Sequence, residues 1–383
     1  MKQWAWIGIG VFAVSLFMVA APVGALQLSG YVHSDYGWTS PRENVNDSFI
    51  DFQIRYNLSE KKEFDNGVFI QVFSQVRAHT TVGASGSGPV IAANIRDAWV
   101  KIGNKALEFQ WGRFEKITVL ERGEDTFVPE VASEAENVRY RALVDSVMGR
   151  GIGDLALRYK FNPDVLFELG ATCFPTVFTG ISKADALEWG ARPVLQYQTK
   201  AILAKAGGEF KRRQAIDNEI KAKRDTLAGG GTLQYTFPNR LVVGVAAAHR
   251  IDLSDDDAGI RIGEVYTTTG GAYTKIPIGA KDTFNIAAYY TNWEFDKLPT
   301  TAEKIMYAES PFDQFSEIRF IAKDSSLTSE TKLKLTHVYG SYIHVNPLKI
   351  ENATVALGVG YVKVSDDEDV RGIGAIIRFT YAF

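Results

Sequence analysis

From position 26 onward, apolar and polar residues alternate in runs of strand length. In "FIDFQIRYNL", Ile50, Phe52, Ile54, Tyr56 and Leu58 fall on one parity and Asp51, Gln53, Arg55 and Asn57 on the other. Successive side chains of an extended chain point to opposite faces, so this stretch is a strand with one apolar and one polar face. "LQLSGYVHSDYG" sets Leu26, Leu28, Gly30 and Val32 against Gln27, Ser29, Tyr31, His33 and Asp35, and "GVFIQVFSQVRAH" sets Val68, Ile70, Val72 and Val76 against Gln71, Gln75 and Arg77. The last ten residues, "GAIIRFTYAF", keep the pattern, with Ile377, Phe379, Tyr381 and Phe383 opposite Arg378, Thr380 and Ala382. Pieces of this kind recur along the chain and predict about 16 strands of roughly 10 residues each.

The links carry a second rhythm. Short ones ("GNK", "NPD", "PNR", "PIGAK", "NPLKIE") alternate with longer polar stretches at 38–47, 80–91, 115–150, 174–187, 212–224, 252–260 and 295–329. An antiparallel meander with all short turns at one rim and all long loops at the other produces this alternation. One long stretch leaves the count open: Phe315, Ile318, Phe320 and Ile321 in "PFDQFSEIRFIAKD" would, as a further hairpin, make 18 strands.

Charge decides between a soluble all-β fold and a membrane one. Asp51, Arg55, Arg77, Glu108, Asp154, Arg158, Lys160, Arg192, Lys205 and Glu209 all fall on the polar parity. In a sandwich they would be buried at several kcal/mol each if unpaired, and no blade-length repeat points to a propeller. In a wide barrel they line a water-filled interior while the apolar parity meets lipid. The expected fold is therefore all-β, a transmembrane antiparallel β-barrel. Tyr36, Trp38, Tyr56, Phe161, Trp189, Tyr197, Tyr235, Phe237, Trp293, Tyr361, Tyr381 and Phe383 lie near strand ends, where girdle aromatics anchor a barrel at the two interfaces.

Residues 1–25 stand apart. Lys2, an apolar stretch from Trp4 to Val19 and the small residues Val23, Gly24 and Ala25 have the layout of a secretory signal peptide cleaved after Ala25, leaving 26–383 as one barrel domain. The net charge of −3 offers no basic excess for nucleic acid, and a single cysteine, Cys173, allows no intrachain disulfide. His33, His79, His249, His337 and His344 are scattered without ligand spacing, so neither metal nor cofactor is expected. "GRGIGD" at 149–154 leads into a strand and reads as the return from a loop rather than a phosphate loop.

Three stretches resemble the bacterial outer-membrane porins: "EFDNGVFIQVFSQV", an acidic turn with Asn-Gly before the third strand; "NIRDAWVKIGNKALEFQWGRF", the fourth and fifth strands around a tight turn; and "RFTYAF", ending in phenylalanine. The resemblance implies a homotrimer of 16-stranded barrels in the Gram-negative outer membrane. It also implies that the third external loop, here 115–150, folds inward as a constriction. On that analogy Glu121, Glu124, Asp125, Glu130 and Glu134 would face wall cations Arg55, Arg77, Arg158 and Arg192, across a transverse field that orients polar solutes. Arg96 joins them by position although its parity conflicts with Asp97 and Lys101. The loop lacks the family's Pro-Glu-Phe-Gly-Gly motif; "VPEVAS" supplies only Pro129 and Glu130.

Phe383 would serve the barrel-assembly machinery, and acidic external blocks such as "SDDED" would bridge to lipopolysaccharide through divalent ions or be simply solvated. The function implied is passive diffusion of small hydrophilic solutes and ions. Alternatives are a channel selective for an anion, carboxylate or sugar, an outer-membrane barrel enzyme, and a structural or adhesion barrel.

Overall fold

A strand that must bury every backbone hydrogen bond without a lipid-exposed edge has to close on itself, and the chain does so. In the computed structural model, which describes residues 27–42, 45–83, 90–121, 130–132, 139–141, 152–172, 186–215, 223–255, 261–297, 332–365 and 370–383, there are eighteen strands. They are β1 (Gln27–Arg42), β2 (Val45–Glu63), β3 (Phe69–Gly83), β4 (Val90–Gly103), β5 (Leu107–Glu115), β6 (Glu130–Ala132), β7 (Arg139–Arg141), β8 (Ile152–Asn162) and β9 (Val165–Thr172). The second half holds β10 (Ala186–Gln198), β11 (Ile202–Ala215), β12 (Lys223–Thr236), β13 (Val242–Asp255), β14 (Arg261–Ile278), β15 (Asp282–Lys297), β16 (Lys332–Val345), β17 (Ala353–Ser365) and β18 (Val370–Ala382). Sixteen form one closed antiparallel barrel in chain order, and β6 and β7 pair separately as a two-stranded sheet. Among the described residues no helix is long and apolar enough to cross a membrane.

The seam joins β1 to β18, with Asp35 opposite Arg378 and Val32 opposite Tyr381. Gly30 N–H donates to the Phe383 carbonyl at 2.9 Å, and Phe383 N–H donates back to Gly30 at 3.0 Å. The Phe383 ring lies over Gly30, where a Cβ would sit 2.7 Å from the ring, and meets Tyr56 edge-on at 5.8 Å. A side chain at position 30 would displace the ring that covers the seam.

The two parities sort as the alternation predicts. Leu28, Phe109, Trp111, Leu157, Leu195, Leu233, Val245, Leu357, Val359 and Ile377 are exposed on the outside. Asp35, Gln53, Gln75, Gln110, Asp154, Glu168, Arg192, Thr232 and Asn285 are buried on the inside. Of the expected girdle aromatics, all those with described side chains are exposed; the side chain of Trp293 lies outside the described residues. Tyr159–Phe161 and Tyr235–Phe237 meet edge to face at one rim, at 4.9 and 4.7 Å.

Two expectations change, and the strand count holds. Barrel strands run from 8 to 19 residues rather than about ten, because pairing continues past the apolar band toward the loop rim. The stretches 38–47 and 80–91, read as loops from their polarity, are therefore mostly strand: β1 reaches Arg42, β2 begins at Val45, and β3 runs to Gly83. The barrel has sixteen strands, and the stretch that raised eighteen, 315–321, lies outside the described residues. The short links are turns as read, with Asn104, Asn162 and Asn239 side chains capping three of them.

Candidate functional site

After β5 the chain turns into the barrel and lies along its inner wall. The Ile117 N–H donates to Glu168 Oε1 at 2.8 Å, and Lys116 Nζ donates to Thr172 Oγ1 at 3.1 Å, both on β9. On β11, Lys205 Nζ donates to the Thr118 carbonyl at 3.0 Å and pairs with Glu121. On β12, Thr232 Oγ1 donates to the Val119 carbonyl at 2.7 Å and accepts the Glu121 N–H at 2.9 Å. Val119 and Leu120 are buried against Val194, Ala246, Ala248, Tyr273, Ala287, Tyr289 and Tyr339. All of these wall residues lie on the inward parity.

The wall is notched to receive this segment. A Cβ on Gly170 would sit 2.8 Å from the Lys116 side chain, and one on Gly207 would sit 2.9 Å from Val119 Cγ2. Segment 116–121 is thus held by charge, backbone hydrogen bonds and apolar packing together. Burial pushes the Lys116 ammonium, in this loop segment outside the strands, below the usual lysine range, with Glu209 opposing the shift. Further along the loop, β6 lies against β1, β17 and β18. On those strands inward Val362 and Ile376 are buried while outward Tyr361 and Ile377 are exposed, which puts β6 on the inner side.

The expected acidic residues fall as follows. Glu121 is on the inner wall, tied to Lys205 and Thr232. Glu130 opens β6 opposite Arg141, with its side chain outside the described residues. Glu124, Asp125 and Glu134 lie outside the described residues.

Of the expected wall cations, Arg158 grips a single oxygen of Glu168, with Nε and Nη2 both at 2.7 Å from Oε2, and also reaches Gln110. Arg192 is 1% exposed, with Nε 3.7 Å from Glu209. Arg55 and Arg77 stand directly opposite one another on β2 and β3. Arg55 Nε donates to Gln53 at 2.6 Å and its guanidinium covers Tyr31 at 4.9 Å. Among the described residues neither of these two arginines has an acidic partner.

Arg96 has a structural explanation for its conflicting parity. Gln75 pairs with Asp97 and Val76 with Ile95, so Arg96 is the extra residue of a β-bulge. Its side chain lies outside the described residues.

Alternation placed Lys205 on the polar face but could not say what it meets. Glu168 and Thr232 were not singled out, although Glu168 is the one charge in the apolar run "VLFELGAT" of β9, a signal that could have found it. Nor was the seam pair foreseen, in which Arg378 Nε and Nη2 donate to Asp35 at 2.8 and 2.9 Å and His33 Nε2 lies 2.9 Å away.

Solved structures share this architecture over nearly the whole chain. OmpT of Vibrio cholerae superposes with a TM-score of 0.58 at 10% identity, covering 94% of this chain and 99% of that one. The chain has the porin fold. An anion-selective porin from Comamonas acidovorans (TM-score 0.53, 11% identity, 94% of this chain and 99% of that one) and OmpF of Salmonella typhi (0.54, 11%, 94% and 97%) share it as well. No family model and no curated protein matches the chain in sequence, so the likeness is one of porin fold.

Proposed function

We propose that the protein is an outer-membrane porin, a water-filled channel through which small hydrophilic solutes and ions diffuse passively, without covalent chemistry or a bound cofactor. The observation that carries this reading is the infolded segment 116–121, seated on inward-facing Glu168, Lys205 and Thr232 inside a barrel whose outer face is apolar. A chain that spends three kinds of contact to hold a loop inside its own barrel narrows the interior at a defined depth. The turn rim then faces the periplasm, the loops face outward, residues 1–25 are removed as a signal peptide, and 115–150 forms the constriction. Three copies assemble as a trimer; OmpT of Vibrio cholerae has been solved in a trimer form.

A preference for anions follows from the opposed Arg55 and Arg77. Two like charges directly across a ladder repel, and anions in the lumen relieve the repulsion. Planar-bilayer recording tests the whole reading. The purified protein should give stepwise conductance in multiples of three, and a reversal potential in a salt gradient that shows anion preference. Arg55→Gln with Arg77→Gln should move that potential toward cations, and Glu124→Gln with Asp125→Asn should move it toward anions. A flat current trace from correctly folded protein would refute the channel.

A further inference from the structure

Inward-facing aromatic rings in a water-filled lumen need an explanation, and most of them here have one. Tyr273, Tyr289 and Tyr339 are 2–3% exposed, beneath and beside the infolded segment. Phe73 and Trp99 differ. They face each other across β3 and β4, stacked at 5.1 Å with their planes 16° apart, and both remain only partly buried. Their flanking partners on the same rung of the ladder are Ser59 on β2 and Gly112 on β5. Ser59 adds little bulk on the β2 side, so the stacked pair stays partly exposed along a shallow trough there, while Gly112 on the β5 side is itself buried. No side chain can fill position 112 beside the Trp99 ring, since φ is +116° and a Cβ would lie 2.3 Å from the Ala98 carbonyl.

Polar groups bracket this trough along the strands. Inward rungs are spaced about 7 Å apart, two residues of strand rise. One rung toward the turn rim come Gln71, Lys101 and Gln110, with Lys101 Nζ 5.3 Å from the Trp99 ring centre. Two rungs toward the loop rim stand Arg55 and Arg77. The intervening rung carries Gln75 and Asn57, hydrogen-bonded at 2.7 Å, and Asp97, itself engaged. The other nearby acid, Glu108, is shared between Lys101 and Lys160.

We infer that the β2–β4 wall is a binding lane for organic anions with a flat apolar body, aromatic carboxylates above all. The guanidinium pair collects the carboxylate from the loop side. The ring then slides onto Phe73 and Trp99, displacing water from apolar surface, while the carboxylate passes to Lys101 and the amides beyond. A small aliphatic anion has only the cations to hold it, and a neutral aromatic has only the rings, so the lane discriminates by requiring both. The inference rests on the porin reading and adds a substrate class to it.

Single-channel block by benzoate, acetate and benzyl alcohol tests this. Benzoate should interrupt the current at lower concentration than either of the others. Phe73→Leu with Trp99→Leu keeps apolar bulk but removes the stacking faces. Each aromatic contact contributes about 0.5–1.5 kcal/mol beyond area, so benzoate affinity should fall about two- to twelvefold per ring, while block by acetate changes far less. Arg77→Gln should weaken benzoate and acetate alike. A conducting channel in which benzoate and acetate block equally, or in which the double leucine variant blocks like the wild type, overturns the lane and leaves the porin reading standing. A folded barrel that carries no current overturns both.

Discussion

Replacing Thr232 by valine preserves the shape of the side chain but removes the hydroxyl that clips the infolded segment to β12. In the variant the Val119 carbonyl loses its donor and the Glu121 N–H its acceptor. Leaving a buried polar group unpaired costs about 1–3 kcal/mol, so the clip contributes about 2–4 kcal/mol to seating the segment once partial hydration near Glu121 is allowed for. What remains is substantial: the Ile117 bond to Glu168, the Lys205 contacts, and the burial of Val119 and Leu120, worth about 1.5–3 kcal/mol each. Thr232→Val alone should therefore stay mostly seated while releasing more often, with more open-channel noise but nearly normal mean conductance. Adding Leu120→Ala removes about 2–5 kcal/mol more. The double variant should spend much of its time with the segment off the wall, giving larger and noisier unitary currents in planar bilayers. The strand ladder is untouched, so its gel mobility as a folded barrel should match wild type. A folded double variant with the conductance and noise of the wild type would show that 116–121 does not narrow the passage.

Arg158→Ala should be among the most damaging single changes, since it leaves the fully buried Glu168 without its cation at about 3–5 kcal/mol; the temperature at which the folded gel band disappears should fall sharply, and less so if Glu168→Gln is added. Gly112→Ala places a side chain where φ is +116° and the Ala98 carbonyl is in the way, a strain of about 1–3 kcal/mol that should lower refolding yield in detergent. Residues added after Phe383, or Phe383→Ala, disturb a ring that covers Gly30 and meets Tyr56 at the seam; membrane insertion in cells should drop, and unaltered insertion would confine Phe383 to packing.

Much of the barrel was legible because a period of two is a local property. Ile50, Phe52, Ile54 and Tyr56 announce a face with no reference to any neighbour, and the alternation of "GNK" or "NPD" with long polar links fixes which rim each turn occupies. Strand ends were less legible. Beyond the apolar band a paired strand no longer needs hydrophobic residues, so "TSPR" at the end of β1 reads as loop although it is strand. Arg96 shows a related limit: its parity conflict was visible in the chain, but the bulge that resolves it is a relation between β3 and β4.

By itself, then, the sequence determined a two-faced, all-β chain whose charged parity requires water inside and whose apolar parity tolerates lipid outside. It also marked 115–150 as the exceptional link. Only the tertiary structure decided what meets inside the barrel: Asp35 with Arg378 at the seam, Arg55 with Arg77 on adjacent strands, and Glu168, Lys205 and Thr232 under the infolded segment. Alternation fixes the face on which a side chain stands, but register and closure set its neighbours, and those depend on pairings between residues as far apart as the two ends of the chain.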